Sequence, residues 1–264
     1  MTLQITILGC GSSGGVPRVG GDWGACDPSN PKNRRRRCSI LVERIDGDQR
    51  TVVLVDTSPD LREQLLATGT TRLDGILITH AHADHVHGID DVRPLVIKMK
   101  RRIPAFMDEP TDAIVRDRFD YIFETPPGSQ YPPLLDAHPL VPGKTCTVTG
   151  PGGAIEALPF RLEHGDMDAL GFRFGDVAYT PDLNAIPDES LDALRGLDIW
   201  IIDALRYTPH PSHLTVAEAL GFIRELKPKR AILTNLHTDL DYERLKAEVP
   251  PGVDLAFDGM KISV

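Results

Sequence analysis

The sequence predicts a layered α/β fold with mixed sheets. Two observations carry that expectation. Short apolar, β-branched runs recur along the chain, and four stretches of helical periodicity fall among them. The two kinds alternate without a strict strand–helix–strand rhythm, which points to layers rather than a single regular winding.

The strand candidates are residues 3–8, 39–45, 51–56, 75–79, 155–162, 170–174, 177–180, 198–203 and 230–234. Most are bounded by Gly, Pro, Asp or Asn, residues that favour turns over continued pairing. Helical periodicity covers 59–67, 110–123, 214–226 and 240–248. In the third of these, Leu214, Ala217, Leu220, Gly221 and Ile223 are expected on one face, with Glu218, Arg224 and Glu225 toward solvent. Residues 125–144 are rich in proline and read as an extended loop, a flap beside a site or inert surface. No repeat and no linker divides the chain, so 1–264 is expected to form one domain.

At 264 residues and 41% hydrophobic content the chain can bury a substantial core. A formal net charge of −9 argues against broad nucleic-acid or membrane binding, which needs a basic face. A small anionic substrate stays open, because bound metal supplies positive charge locally. The four cysteines are irregularly spaced with no C-x-x-C pair, so reduced thiols are expected. The N-terminus shows no secretory pattern, and no apolar run reaches 18 residues. A cytoplasmic location is the expectation.

The most informative segment is Ile76-Leu-Ile-Thr-His80-Ala-His82-Ala-Asp84-His85. An apolar strand runs straight into H-x-H-x-D-H. Imidazole nitrogens and carboxylate oxygens suit Zn, Mn or Fe. His80 and His82 are alternate residues and can share a face, whereas Asp84 and His85 lie past the bend and can address a second position. With nine histidines in the whole chain, this density argues against scattered surface histidines. Further ligands must come from elsewhere. His164 follows the run 155–162, Asp182 follows 177–180, and His237 follows 230–234. Each sits just beyond a strand end, where a rigid element presents a side chain into a cleft.

This set resembles the metallo-β-lactamase superfamily over nearly the whole chain. The resemblance implies an αβ/βα four-layer sandwich, two mixed β-sheets flanked by helices. It also implies a dinuclear centre of divalent ions, zinc or manganese. His80, His82 and His164 would bind the first ion; Asp84, His85 and His237 would bind the second; Asp182 would bridge them. Asp56, at the end of an early strand, would support the ligands from behind.

Within the superfamily the chain resembles the PhnP-like phosphodiesterase branch, and more distantly tRNase Z. Gly9-Cys-Gly-Ser-Ser-Gly14-Gly-Val-Pro17 looks like that branch's glycine-rich first loop. Arg34–Arg37 with Cys38-Ser39, and the ending Ala256-Phe-Asp258-Gly259-Met260-Lys-Ile, look like its second-strand entry and last strand. His213, in Pro-Ser-His213-Leu-Thr, resembles its leaving-group histidine, a role that suits a pKa near neutrality. By this resemblance His213, Asp182 and Asp84 would carry catalysis. Ser12, Ser13, Gly14 and Arg37 would contact substrate. The substrate would be a small-molecule phosphodiester or nucleotide, such as a cyclic nucleotide or a cyclic sugar phosphate. Dimers are common in the branch, and a homodimer is the expectation. One feature departs from the pattern: where the branch carries a cysteine cluster for a structural zinc, this chain has only Cys26. One thiolate cannot close a tetrahedral site, so that zinc is expected to be absent.

The glycine pattern Gly9-x-Gly11-x-x-Gly14 also fits a dinucleotide fingerprint. No helix can follow it, since Gly15, Pro17, Gly20 and Gly21 come next. The run Arg34–Arg37 reads as a solvated loop or as a phosphate contact, the latter because guanidinium binds phosphate well. Trp23 could stack on a base or pack locally. His210 is a weaker site candidate; His87 reads as support behind the ligands or as surface, and His138, in the proline-rich loop, as surface or a residue that could reach substrate. The ligand set leaves open a thioester, lactone or β-lactam hydrolase or a non-catalytic metal-binding accessory protein, because a fold does not fix a function. A di-iron redox protein of this fold is a further rival, but it would resemble H-x-E-x-D, and His82 stands where its glutamate would be.

Overall fold

Three Gly-Asp pairs, 47–48, 165–166 and 175–176, close two-residue hairpins, and each glycine takes a positive φ. These hairpins organise the antiparallel halves of two sheets. The computed structural model describes residues 2–264. One sheet contains β1 (Thr2–Gly9), β2 (Ser39–Asp46), β3 (Gln49–Val55), β4 (Gly75–Leu77), β5 (Ile103–Met107), β6 (Leu135–Pro139) and β14 (Lys261–Ser263). Its order is β14-β1-β2-β3-β4-β5-β6, antiparallel from β14 to β3 and parallel from β3 to β6.

The other sheet contains β7 (Cys146–Val148), β8 (Ile155–His164), β9 (Met167–Phe174), β10 (Val177–Thr180), β11 (Ile199–Asp203), β12 (Arg230–Thr234) and β13 (Val253–Leu255). Its order is β13-β12-β11-β10-β9-β8-β7, parallel from β13 to β10 and antiparallel from β10 to β7. Both sheets are therefore mixed.

Period-two alternation assigns each strand face. Ile5, Ile7, Ile40, Val42, Val53 and Val55 of the first sheet share one buried cluster with Phe172, Phe174, Val177, Tyr179 and Ile201 of the second. The intervening residues face outward onto helices. Leu41, Leu54 and Ile76 pack with α1 (Leu61–Thr68), α3 (Arg93–Met99) and α4 (Glu109–Phe123). Trp200, Ile202 and Leu233 pack with α5 (Val216–Leu226) and α6 (Tyr242–Glu248). A short helix, α2 (Ala83–Val86), lies just after β4. The result is the expected four-layer αβ/βα sandwich. Strands buried on both faces explain why their sequences read as apolar runs rather than clean alternation. Burying each such Ile or Phe is worth roughly 1.5–3 kcal/mol.

The structure corrects three local expectations. Residues 125–144 are not all loop, since β6 pairs with β5 inside that stretch. β6 escapes sequence reading because it is a polar edge strand, Leu-Asp-Ala-His-Pro, closed by a proline. β5 escapes because of Pro104, which lies outside its β4 pairing. Helix α5 keeps most of the expected stripe, with Leu214 buried, Leu220 and Ile223 packed on the core, and Glu218, Arg224 and Glu225 exposed, but it buries Val216 and Ala219 while Ala217 is exposed. Among the described residues, no helix is long and apolar enough to cross a membrane.

Candidate metal centre

The C-terminal ends of the central strands of both sheets converge on one cluster. β4 leads through Ile78 and Thr79 to His80 and His82, and α2 then carries Asp84 and His85. His164 is the last residue of β8, fixed where the Gly165-Asp166 hairpin turns. Asp182 follows β10, Asp203 ends β11, and Asn235 follows β12.

Three imidazoles meet at one point. His82 Nδ1 lies 2.9 Å from His80 Nε2 and 3.1 Å from His164 Nε2. Asp182 sits beside them with its two oxygens facing different ways. Its Oδ2 is 3.9 Å from His80 Nε2, 3.7 Å from His164 Nε2 and 3.9 Å from His213 Nε2. Its Oδ1 is 3.4 Å from His85 Nε2, which is also 3.5 Å from Asp84 Oδ2. Three overlapping groups thus bring their donor atoms within 4.8 Å: His80–His82–His164, His80–His85–Asp182 and His164–Asp182–His213.

The outer nitrogens of His80, His164, His85 and His213 are engaged. His80 Nδ1 meets Thr79 Oγ1 at 2.9 Å, and His164 Nδ1 meets the Ser212 carbonyl at 2.6 Å. His85 Nδ1 lies 2.7 Å from Asp56 Oδ2, and His213 Nδ1 lies 3.0 Å from Asp203 Oδ2. Such partners fix each ring's orientation and leave the inner nitrogens of His80, His164 and His85 as ligand atoms. Asp56 is fully buried, adopts φ +65, and also accepts from Thr79 N at 2.8 Å. A left-handed aspartate is held only when its surroundings over-determine it. Here those surroundings are the backbone and side chain of Thr79 and the ring of His85.

These residues fit a metal. The lone pairs of three histidine rings face one another, and two of the rings are neutralised. Burial lowers the pKa of His80 well below its usual value, with His85 adding to the effect, and burial lowers His164. A cation satisfies such lone pairs, and neutral imidazole is the ligand form. His85 Nε2 is buried and has no hydrogen-bond partner. Burial opposes charge on His85, yet Asp182, Asp56 and Asp84 raise its pKa well above the usual value. Burial likewise opposes charge on Asp182, but His85 and the other rings hold its carboxyl well below the usual range. The pocket is built for positive charge.

His237 stands apart from this arrangement. Its Nε2 contacts the Arg18 guanidinium, and its Nδ1 lies 3.2 Å from Asp239. Neither nitrogen joins the three donor groups. Arg18 reaches it because the glycine-rich loop packs against the same backbone, with Leu236 N donating to the Cys10 carbonyl. Asp84 lies at the rim beside His85 and is likewise outside those groups. His213 is inside. Its Nε2 faces Asp182 Oδ2, on the side shared with His80 and His164.

Of the expected substrate contacts, Ser12 is buried, while Ser13 and Gly14 are exposed. Arg37 pairs with Asp60 at 3.0 Å. The glycines serve close packing: a Cβ on Gly9 would stand 2.0 Å from the Arg37 carbonyl oxygen. No dinucleotide helix follows. The exposed His87 packs edge-on to Phe119, and His138 stacks on Phe106. Cys26 donates its thiol toward the carbonyls of Thr238 and Leu240.

Two contributors are missing from the sequence reading. Asp203 is fully buried and also accepts from Leu183 N and Leu214 N, both at 3.3 Å. Asn235, at φ +61, places its amide nitrogen 3.5 Å from Asp182 Oδ1 and 3.1 Å from His213 Nδ1.

A model of the beta-lactamase superfamily domain matches residues 51–235, which hold most of this cluster. The chain belongs to the metallo-β-lactamase superfamily. It is similar to the crystal structure of a diphosphatase from the PhnP family, with 37% identity and a TM-score of 0.89 over 100% of this chain and 98% of that one. An octanoyltransferase from Porphyromonas gingivalis is 32% identical over 98% of this chain and 51% of its own length. A ribonuclease Z from Bradyrhizobium sp. is 32% identical over 55% of this chain and 46% of its own. The chain thus spans about half the length of these two curated relatives.

Proposed function

We propose that the protein is a metal-dependent hydrolase that cleaves a phosphodiester or diphosphate bond in a small molecule or nucleotide. The observation that carries this reading is Asp182, whose Oδ2 faces His80, His164 and His213 while its Oδ1 faces His85. The similarity to a PhnP-family diphosphatase supports the substrate class. Two divalent ions, zinc or manganese, are the proposed cofactors. His80, His82, His164 and Asp182 would hold the first; His85, Asp182 and Asp84 would hold the second. When bound, the ions neutralise phosphoryl oxygens and lower the pKa of water from about 16 towards about 7.

The chain's own residues supply the rest. Asp56 and Thr79 fix His85 and His80, and the Ser212 carbonyl fixes His164. His213 donates a proton from Nε2 to the departing oxygen, with Asp203 holding Nδ1. Burial opposes charge on this ring, but Asp203 outweighs it and raises the His213 pKa to about 9. The ring is then protonated at neutral pH and ready to act as an acid.

The test is hydrolysis of bis(p-nitrophenyl) phosphate and of a dinucleoside diphosphate by purified protein with Zn²⁺ or Mn²⁺, beside a thioester and a β-lactam. Turnover of a phosphoryl substrate, lost in His82→Ala and reduced roughly 10²-fold or more in His213→Ala, is the expected result. Cleavage of the thioester or β-lactam alone would overturn the substrate class.

A further inference from the structure

The run Arg34–Arg37 lines a cavity of about 550 Å³ together with Gly15 and Pro17, and shares no residue with the histidine cluster. Three carboxylates also line it, but each is engaged. Asp258 Oδ2 accepts from Arg36 N at 2.9 Å and from Arg36 Nε at 3.0 Å. Asp60 Oδ2 accepts from Arg37 N at 2.9 Å and lies 3.0 Å from Arg37 Nε. Glu63 is paired with Arg62.

Both bridges use the Nε edge. The Nη groups of Arg36 and Arg37 have no hydrogen-bond partner among the described residues. Arg35 is the more unusual group. It is only 2% exposed, has no carboxylate partner, and rests on the carbonyls of His237 and Leu240 and on Asn33 Oδ1. Its Nε is buried without a partner. A buried guanidinium compensated only by dipoles favours a nearby anion. Arg34 is exposed, makes no ion pair among the described residues, and lies with its guanidinium carbon 5.4 Å from the centre of the Trp23 ring. A chain of net charge −9 therefore concentrates surplus positive charge in one concave place. Gly15 turns the wall there at φ +66, beside Arg37 Nη1.

We propose that this cavity binds a phosphoryl anion, either inorganic phosphate or the phosphate of an organic ester. Guanidinium Nη pairs match the tetrahedral oxygens of phosphate better than a point charge does. The inference does not depend on the hydrolase reading.

The experiment is calorimetric titration of the full chain with inorganic phosphate and with AMP, following Trp23 fluorescence in parallel. His82→Ala serves as a second background that disables the histidine cluster. Saturable binding is expected in both backgrounds, weakened roughly tenfold or more by Arg34→Gln/Arg36→Gln and weakened by added salt. Arg34→Gln alone breaks no ion pair, so it isolates the effect from any folding defect and should weaken binding by itself. Tighter AMP binding with a Trp23 signal would assign an ester; equal affinity would assign free phosphate. Absence of saturable binding, indifference to Arg34→Gln, or loss of all binding in His82→Ala would overturn the proposal.

Discussion

His213 owes its character to a carboxylate that water does not reach. Burial pushes the Asp203 pKa up to about 6, and His213 lowers it in turn. The pair shares one hydrogen bond at 3.0 Å. With the His213 pKa raised to about 9, its protonated form persists through neutral pH and is lost above that value. Replacing Asp203 by Asn removes the charge that raises it. The alkaline limb of the kcat–pH profile should then move to lower pH, and kcat should fall roughly 10–100-fold, measured with a chromogenic phosphodiester. An unchanged limb would assign the acid to another group. The sequence shows Asp203 at the end of an apolar run, but nothing in its spacing pairs it with a histidine ten positions on. Asn235 carries even less signal, because its amide matters only once β12 and β10 are neighbours of β11.

Helix α5 carries the segment that places His213. Thr215 caps it, with its hydroxyl accepting from Glu218 N while Glu218 reaches back to Thr215 N at 2.8 Å. Thr215→Ala should cost about 1 kcal/mol in urea unfolding and should perturb His213, two residues away, more than it perturbs His82. The helix and most of its buried stripe are legible in the sequence; Ala217 and Ala219 are not, because the two are indistinguishable until the packing partner is known. The same limit applies to β5 and β6, where proline and polar residues mask strands that tertiary pairing enforces. H-x-H-x-D-H is legible for the opposite reason: its ligands are local in sequence, whereas His237 depends on where Arg18 lies.

The two sheets act as a clamp whose open end is the cluster. β4, β8, β10, β11 and β12 all deliver their C-terminal residues there, so the site forms only when both sheets close on their shared core. Unfolding scatters these side chains, so the proposed metal would stabilise the folded state. Zn²⁺ at about 100 times its Kd should add about 2.7 kcal/mol, read as a rise in melting temperature that His82→Ala abolishes. Sheet order, crossovers and the facing of the two sheets are not legible in strand patterns. They enter through the family resemblance, which the 0.89 TM-score bears out.

We read this histidine and aspartate cluster as a metal centre for phosphoryl hydrolysis. The most direct test of that reading is to strip the protein with chelator, add back Zn²⁺ or Mn²⁺ in steps, and follow bound metal and bis(p-nitrophenyl) phosphate turnover on the same samples. Activity that rises with occupancy to a plateau near two ions per chain is the predicted result. Turnover that survives complete metal removal, or full occupancy without phosphodiester or diphosphate cleavage, would contradict it.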